Sequence, residues 1–332
     1  MLPKFKLFFS YLRCMSLLRF GNYLLLRASF FLSCLTNRTI IWGKAWAVSF
    51  ETVSGCNFQC PGCEQGAGMI GRKHGLMDVE KYYVALNKLP STVFHINLHF
   101  QGEPLLHPKI AKFVRLARQK RIFVSLSTNA QLLNESMAEE LIRAKLSHII
   151  ISLDGYDADS YNKYRVGGNF DTIINNLKTL ARLRKNEKKS HPIIEVQTVV
   201  LSHNEHKLSK IKKIAMESGA DRFSLKTAYV PDLRDPHDYL PVQDKYLRYR
   251  VMPDGFLKTK RNTPRFCFRA YGSCVVMNDM RVVPCCFDKQ GLVVLGNLET
   301  ENFSSVHNGI IGKILHYNLR KRNPPDICNN CV

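Results

Sequence analysis

From residue 45 to residue 227, short apolar runs alternate with longer segments whose apolar positions return every three or four residues. The short runs, 47–53, 94–100, 122–127, 148–153, 193–200 and 222–225, read as strands. The periodic segments between them, 79–89, 110–120, 136–145, 171–185 and 205–218, read as helices. Largely apolar strands alternating with helices predict an α/β fold, a parallel sheet covered by helices.

The polar residues of this region gather at strand ends. Cys56 follows the first strand, Gly102-Glu103-Pro104 the second, Ser127-Thr128-Asn129 the third and Ser152-Leu153-Asp154-Gly155 the fourth. In parallel α/β folds the C-terminal rim of the sheet is where chemistry is assembled. Turn and cap preferences account for any one of these segments, but not so easily for all of them together with three cysteines.

The alternation stops at both ends. Residues 1–44 are rich in Phe and Leu, with Lys6, Arg13, Arg19 and Arg27 spaced along them. No apolar run there approaches the roughly 20 residues that a bilayer-spanning helix needs. A helix over this segment gathers Lys6, Ser10, Arg13 and Ser16 on a narrow polar face. That fits either a helix lying in a membrane interface through residues 1–40 or a hydrophobic helix docked on the main domain. Residues 45–226 form the core domain, 227–264 a connector, and 265–332 a last unit with a hairpin in VVMNDMRVVPCC, a helix over 305–319 and a terminal CNNC. Metal, rather than an apolar core of its own, is expected to organise that unit.

With 332 residues, 45% of them hydrophobic, the chain can bury one large core and a smaller appendage. Its 11 cysteines cluster at 56–63, 267–286 and 328–331, and nothing at the start resembles a cleaved secretory signal. This is metal-binding usage in the cytoplasm, peripheral on the membrane if the first segment lies there, rather than a disulfide framework. The net charge of +21 invites nucleic acid or an anionic membrane surface. No aromatic and basic recognition motif accompanies it, so dedicated nucleic-acid binding is not expected.

Cys56, Cys60 and Cys63 have the spacing C-x3-C-x2-C. Three thiolates on one loop can bind three irons of a four-iron cube and leave the fourth open; a zinc site closed by a residue such as His74 is the alternative. Cys267, Cys285, Cys328 and Cys331, with Cys274 and Cys286 nearby, can close a second cube or a structural zinc site.

These segments resemble the radical S-adenosylmethionine (SAM) enzymes. The C-x3-C-x2-C motif is similar to the family's cluster loop, and Gln101 to Pro104 to its Gly-Gly-Glu-Pro segment. The other matches are Ser127 to Asn129, Ser152 to Gly155 and Tyr164 to Phe170. The resemblance implies a partial (β/α)6 TIM-like barrel, with Gly102, Glu103, Ser127, Asn129, Ser152, Asp154 and Arg165 binding SAM. Two residues depart from the pattern: Gln101 replaces the first glycine, and Gly62 stands where many members carry an aromatic residue near the adenine. Residues 265–332 resemble the family's SPASM domain in its shorter, single-cluster twitch form. That implies an auxiliary cluster on Cys267, Cys285, Cys328 and Cys331, with Cys285 favoured over Cys286, and Cys274 as a buried apolar thiol. Met280 replaces the usual hairpin glycine.

The implied cofactors are SAM and two 4Fe-4S clusters. The implied reaction is reductive cleavage of SAM to a 5'-deoxyadenosyl radical, which oxidises or otherwise modifies an unactivated carbon. Glu103, Cys286 and Asp288 are catalytic candidates, the last two as hydrogen donor or base. The implied partners are a flavodoxin- or ferredoxin-type electron donor and a sugar-like or peptide substrate. The competing reading is a zinc-stabilised, basic nucleic-acid-binding protein without catalysis.

Overall fold

The computed structural model describes residues 3–234 and 238–331. Six parallel strands build its centre: β1 (Ala47–Phe50), β2 (His95–Asn97), β3 (Phe123–Thr128), β4 (His148–Ser152), β5 (Ile193–Val200) and β6 (Arg222–Thr227), side by side in that order. The helices α1 (Pro3–Leu12) and α2 (Leu17–Thr36) precede them. The crossovers are α3 (Val79–Lys88), α4 (Ile110–Gln119), α5 (Glu135–Arg143), the short α6 (Ala158–Asn162) with α7 (Phe170–Asn186), and α8 (Leu208–Glu217). Side-chain caps fix several helix starts: Asp78 accepts from the backbone N–H groups of Glu80 and Lys81, and Asn134 from Met137.

Strand β2 covers only three of the seven residues that the pattern reads as extended. Beyond Asn97 the chain leaves the ladder and turns at Gly102, whose φ is +80°; a Cβ there would stand 2.4 Å from the Gly55 carbonyl oxygen. The backbone of the Gln101 to Pro104 loop therefore lies directly on the start of the cysteine loop, and Glu103 N–H donates to the Gly55 carbonyl at 2.8 Å.

The connector carries a hairpin, β7 (Tyr249–Val251) with β8 (Leu257–Thr259). Next come α9 (Phe268–Gly272), β9 (Ser273–Val276), β10 (Arg281–Val283), β11 (Gly296–Asn297), α10 (Phe303–His307) and α11 (Ile310–Arg320). The last unit is not self-standing. Strand β9 pairs in parallel with β1, so a nine-stranded sheet runs β11-β10-β9-β1-β2-β3-β4-β5-β6. Val276, Met280, Val282, Leu298 and Val306 belong to the same apolar core as the central strands. These residues of the unit thus pack into the central core, because β1 offers β9 an open edge. The single helix expected over 305–319 breaks between α10 and α11, at Asn308 and Gly309.

The N-terminal segment is two helices, not one. The chain turns at 13–16, and Ser16 caps α2, its Oγ accepting the Arg19 N–H at 3.3 Å. Arg13 and Ser16 therefore do not share a helical face with Lys6 and Ser10. Helix α1 closes the N-terminal end of the barrel, where Tyr11 stacks on Phe123 at 4.1 Å and Lys6 pairs with Asp221 at 2.9 Å. Helix α2 buries Asn22, Leu26, Ser29 and Ser33, with Leu26 packed among Tyr271, Phe266, Phe268 and Trp46. Its opposite face leaves Leu17, Phe20, Leu24, Phe31 and Leu35 exposed. Among the described residues no helix is long and apolar enough to cross a membrane.

Candidate active site

The inner faces of the strands and the last unit surround a cavity of about 750 Å³. In closed (β/α)8 barrels branched apolar side chains fill this space. Here its wall carries His95, Asn97, His99, Ser127, Ser152, Gln197 and Lys226. None of His95, Asn97, His99, Gln197 or Lys226 stands in a recognised motif. Their signal in the sequence is spacing, a polar residue at every second position, as in His95-Ile96-Asn97-Leu98-His99. At the closed end His95 lies between the Tyr11 hydroxyl at 3.3 Å and Ser125 Oγ at 3.2 Å, and burial pulls its pKa down to about 4. A neutral imidazole results.

At the C-terminal end of β1, Cys60 and Cys63 line the cavity and Cys56 lies half-buried beside them. Cys63 N–H donates to the Cys60 carbonyl at 3.1 Å and Ala67 N–H to that of Cys63 at 2.7 Å, so the loop is tightly wound. Burial first, then the neighbouring Glu103, Cys60 and Cys63, push the Cys56 thiol up to about 12. Burial also raises Cys60, although Arg165 Nη1 stands 3.8 Å from its sulfur. No three His, Cys, Asp or Glu side chains among the described residues close around a single ion position. The donor set nevertheless fits an iron–sulfur cluster: its donors are thiols, and buried, mutually repelling thiolates need bound metal charge to form.

Gly62 has no room for a side chain. A Cβ there would meet Tyr164 Oη at 2.3 Å and the Tyr229 carbonyl oxygen at 2.9 Å. The space that an aromatic residue would take is filled from elsewhere in the chain, by Tyr164.

The other rim residues divide into two groups. Gly102, Ser127, Ser152 and Arg165 line the cavity. Glu103, Asn129 and Asp154 stand behind its wall. The buried Glu103 carboxylate accepts from Thr128 Oγ1 at 2.6 Å, Asn129 N–H at 2.7 Å and Leu105 N–H at 3.0 Å; burial nonetheless holds its pKa up. Asn129 donates to Asn57 Oδ1 at 2.9 Å, which ties the third strand end to the cysteine loop. Asp154 accepts from Arg165 Nε at 2.5 Å and from Val199 N–H at 2.6 Å, fixing the guanidinium that faces Cys60.

Across the cavity, Cys285 and Cys286 belong to its wall. Burial, then the nearby Cys286, Cys267 and Cys328, raise Cys285; burial, Cys267 and Cys331 push Cys328 up to about 12. Cys267, Cys285, Cys328 and Cys331 thus converge, again an all-sulfur set that metal would complete. Cys286 is exposed to the cavity, with Arg269 Nη1 3.8 Å from its sulfur. Cys274 is buried on β9, pushed up to about 12 by burial alone. Both Asp288 oxygens are occupied, accepting from Leu292 N–H at 2.7 Å and Val293 N–H at 2.8 Å.

Two cysteine-bearing regions distant in sequence are stitched together. Arg72 Nε donates to the Lys289 carbonyl at 2.8 Å, and Gln290 Nε2 donates to Glu64 Oε2 at 3.1 Å and to the Met69 carbonyl at 2.8 Å. The terminal CNNC is held likewise, Asn330 accepting from the Tyr249 hydroxyl at 2.7 Å and donating to the Val230 carbonyl at 2.8 Å.

A family model described as the Radical SAM superfamily matches residues 50–215, half of the chain. One described as an iron-sulfur cluster-binding domain, SPASM, matches residues 267–332. An AdoMet-dependent heme synthase of Methanosarcina barkeri is 26% identical over 174 residues, covering 52% of this chain and 48% of that protein. A PqqA peptide cyclase of Granulibacter bethesdensis is 25% identical over 173 residues, 52% of this chain and 44% of that protein. The matched stretch thus spans about half the length of these curated relatives. The crystal structure of BtrN in complex with AdoMet and 2-DOIA superposes with a TM-score of 0.53 at 17% identity, over 86% of this chain and 92% of that one. That is a likeness of fold.

Proposed function

This chain belongs to the radical SAM superfamily, and on that footing we propose that it modifies an unactivated carbon of a substrate held between the barrel and the last unit. One observation carries the reading: Cys60 and Cys63 from one loop, and Cys285 and Cys286 from another more than 200 positions away, open on the same cavity of about 750 Å³. In this reading Cys56, Cys60 and Cys63 hold a 4Fe-4S cluster that binds SAM, and Cys267, Cys285, Cys328 and Cys331 hold an auxiliary one. When bound, the first cluster and SAM supply a one-electron reductive cleavage that delivers a hydrogen-abstracting radical.

The chain's own part is placement and shielding. Glu103, saturated by three donors, braces the loop whose Gly102 backbone meets the cofactor; Ser127 and Ser152 offer hydroxyls from the wall. Arg165, aimed by Asp154, faces Cys60 and is suited to a carboxylate of SAM. The Tyr11 plug keeps water from the closed end, which a radical reaction requires. Cys286, exposed to the cavity, is the candidate hydrogen donor or base, whereas Asp288, bonded on both oxygens, positions the loop that presents it.

A flavodoxin- or ferredoxin-type donor supplies electrons, and the surplus of 21 positive charges suits an acidic partner. The cavity accommodates SAM with either a small sugar-like molecule or the reacting residue of a peptide, the substrate class that the relative's name, PqqA peptide cyclase, indicates. The exposed apolar face of α2 suits peripheral contact with a lipid surface, and unchanged vesicle binding after Leu17→Glu with Leu24→Glu would overturn that contact. A zinc-stabilised nucleic-acid-binding protein leaves the polar cavity and the rim motifs without a role.

Anaerobic reconstitution tests the assignment. The expected holoprotein carries about eight irons and as many sulfides. Cys60→Ala then loses about half the iron and all 5'-deoxyadenosine formation, and Cys331→Ala loses the other half. A colourless protein holding stoichiometric zinc would exclude the reading.

A further inference from the structure

The cavity wall is one-sided in charge. Arg165, Lys226, Arg248, Arg269 and Lys289 line it, and among the described residues no Asp or Glu does. Four of these cations have protein partners. Arg165 is held by Asp154, and Lys289 stands 3.4 Å from Glu64 and 3.2 Å above the Tyr229 ring. Arg248 donates to the Asn330 carbonyl at 2.9 Å, and Arg269 faces the Cys286 sulfur at 3.8 Å. Thiolates at the last unit would balance Arg248 and Arg269 further.

Lys226 is different. It occupies the next-to-last position of β6, on the inward face with Ser224, and its side chain reaches the cavity with no hydrogen bond or ion pair to any described residue. Its ammonium is open to the cavity, whose described lining adds four more cations and no carboxylate, so an anion entering there would meet it unpaired. On the same wall, burial first and then the nearby Lys226 pull the His99 pKa down to about 3. His99 Nδ1 accepts the Ser127 N–H at 3.2 Å, which leaves the ring proton on Nε2 as a neutral donor. SAM has one carboxylate, assigned above to Arg165, and its sulfonium and ammonium leave it net positive, so it brings no further negative group for Lys226.

We infer that the substrate is anionic, and that its phosphate or carboxylate group binds the Lys226 ammonium beside His99 Nε2–H. The inference rests on the cavity being the active site proposed above, and it narrows sugar-like or peptide to a phosphorylated sugar or an acidic residue of a peptide.

The test is an equilibrium titration of the reconstituted full-length protein, SAM present and ionic strength fixed with chloride, by inorganic phosphate, diphosphate or acetate in a calorimeter. Saturable binding is expected for at least one of them: phosphate or diphosphate marks a phosphorylated substrate, acetate a carboxylate. Lys226→Met should weaken it at least tenfold, while Lys226→Arg keeps it; iron content and melting temperature report that each variant is folded. Three results would overturn the inference: no saturable anion binding, equal affinity in folded Lys226→Met, or displacement of SAM by the anion. Formation of 5'-deoxyadenosine by the unsubstituted protein tests the superfamily chemistry separately, since anion binding needs no turnover.

Discussion

Arg72 grips Glu51 through two hydrogen bonds, 2.7 Å and 2.5 Å long, with the carboxylate fully buried and the guanidinium nearly so. The pair joins the end of the cysteine loop to the strand that starts it, and the third donor of Arg72 reaches the last unit at Lys289. Breaking one side of a buried pair costs about 3–5 kcal/mol, because the other charge stays buried alone. Arg72→Met should therefore lower the denaturation midpoint sharply, and Glu51→Leu added to it should recover most of the loss. A small effect of the single substitution would show that the clamp does not hold these parts together.

Gly62→Ala places a methyl group on Tyr164 Oη and against the Tyr229 carbonyl. Overpacking of this kind costs about 1–3 kcal/mol. The expected result is incomplete cluster reconstitution, read as iron per chain. Tyr164→Phe in the same chain should restore part of it, because the phenolic oxygen is the nearest obstacle.

Met280 sits at φ +70° in the hairpin between β9 and β10, with its side chain 1% exposed. Two effects oppose each other on truncation. Loss of a buried Met side chain costs about 2–5 kcal/mol, whereas a left-handed residue other than glycine carries about 1–2 kcal/mol of strain. Met280→Gly should thus be less stable than the native chain, yet more stable than Met280→Ala by about 1 kcal/mol. Chemical denaturation of the two variants decides it; the reverse order would mean that the turn is not strained.

Asp221 receives Lys6 from α1 at 2.9 Å, the Ile194 N–H at 2.9 Å, and Arg184 from α7. Burial opposes its ionisation, but these partners outweigh it and hold the carboxyl below the usual range. A depressed folded pKa contributes stability that is complete above the unfolded value of about 3.9 and is lost as pH falls through the folded one. Helix α1 should therefore keep its protection in hydrogen exchange down to about pH 4 and lose it below. In Asp221→Asn the acid step should vanish and α1 should exchange faster at neutral pH.

Much of this architecture is legible in local pattern. The core helices and most strands fall within a few residues of their periodic segments, since burial on one face of a helix, or on both faces of a central strand, leaves a period in the chain. Strand β2 is the exception, and its cause is tertiary: the backbone beyond Asn97 is drawn onto Gly55. The break at 13–16 likewise follows from docking, as Arg19 donates to the carbonyls of Ser91, Lys120 and Arg121, which one straight amphipathic helix would not bring into reach.

The sequence by itself determined the cysteine loop, the order of the rim motifs and the superfamily, because each depends on residues adjacent in the chain or on strand ends that a parallel sheet must align. Tertiary structure alone decided which of those residues face the cavity. Gly102, Ser127, Ser152 and Arg165 do, while Glu103, Asn129 and Asp154 brace them from behind, and Tyr164 fills the space over Gly62. It also placed Cys285 and Cys286 on the same cavity wall as Cys60, and left Lys226 without a partner there. Those relations depend on β9 taking the open edge of β1 and on charges brought together from distant strands. Local spacing does not encode them, because pairing across an edge and burial of a charge depend on what the rest of the fold brings alongside.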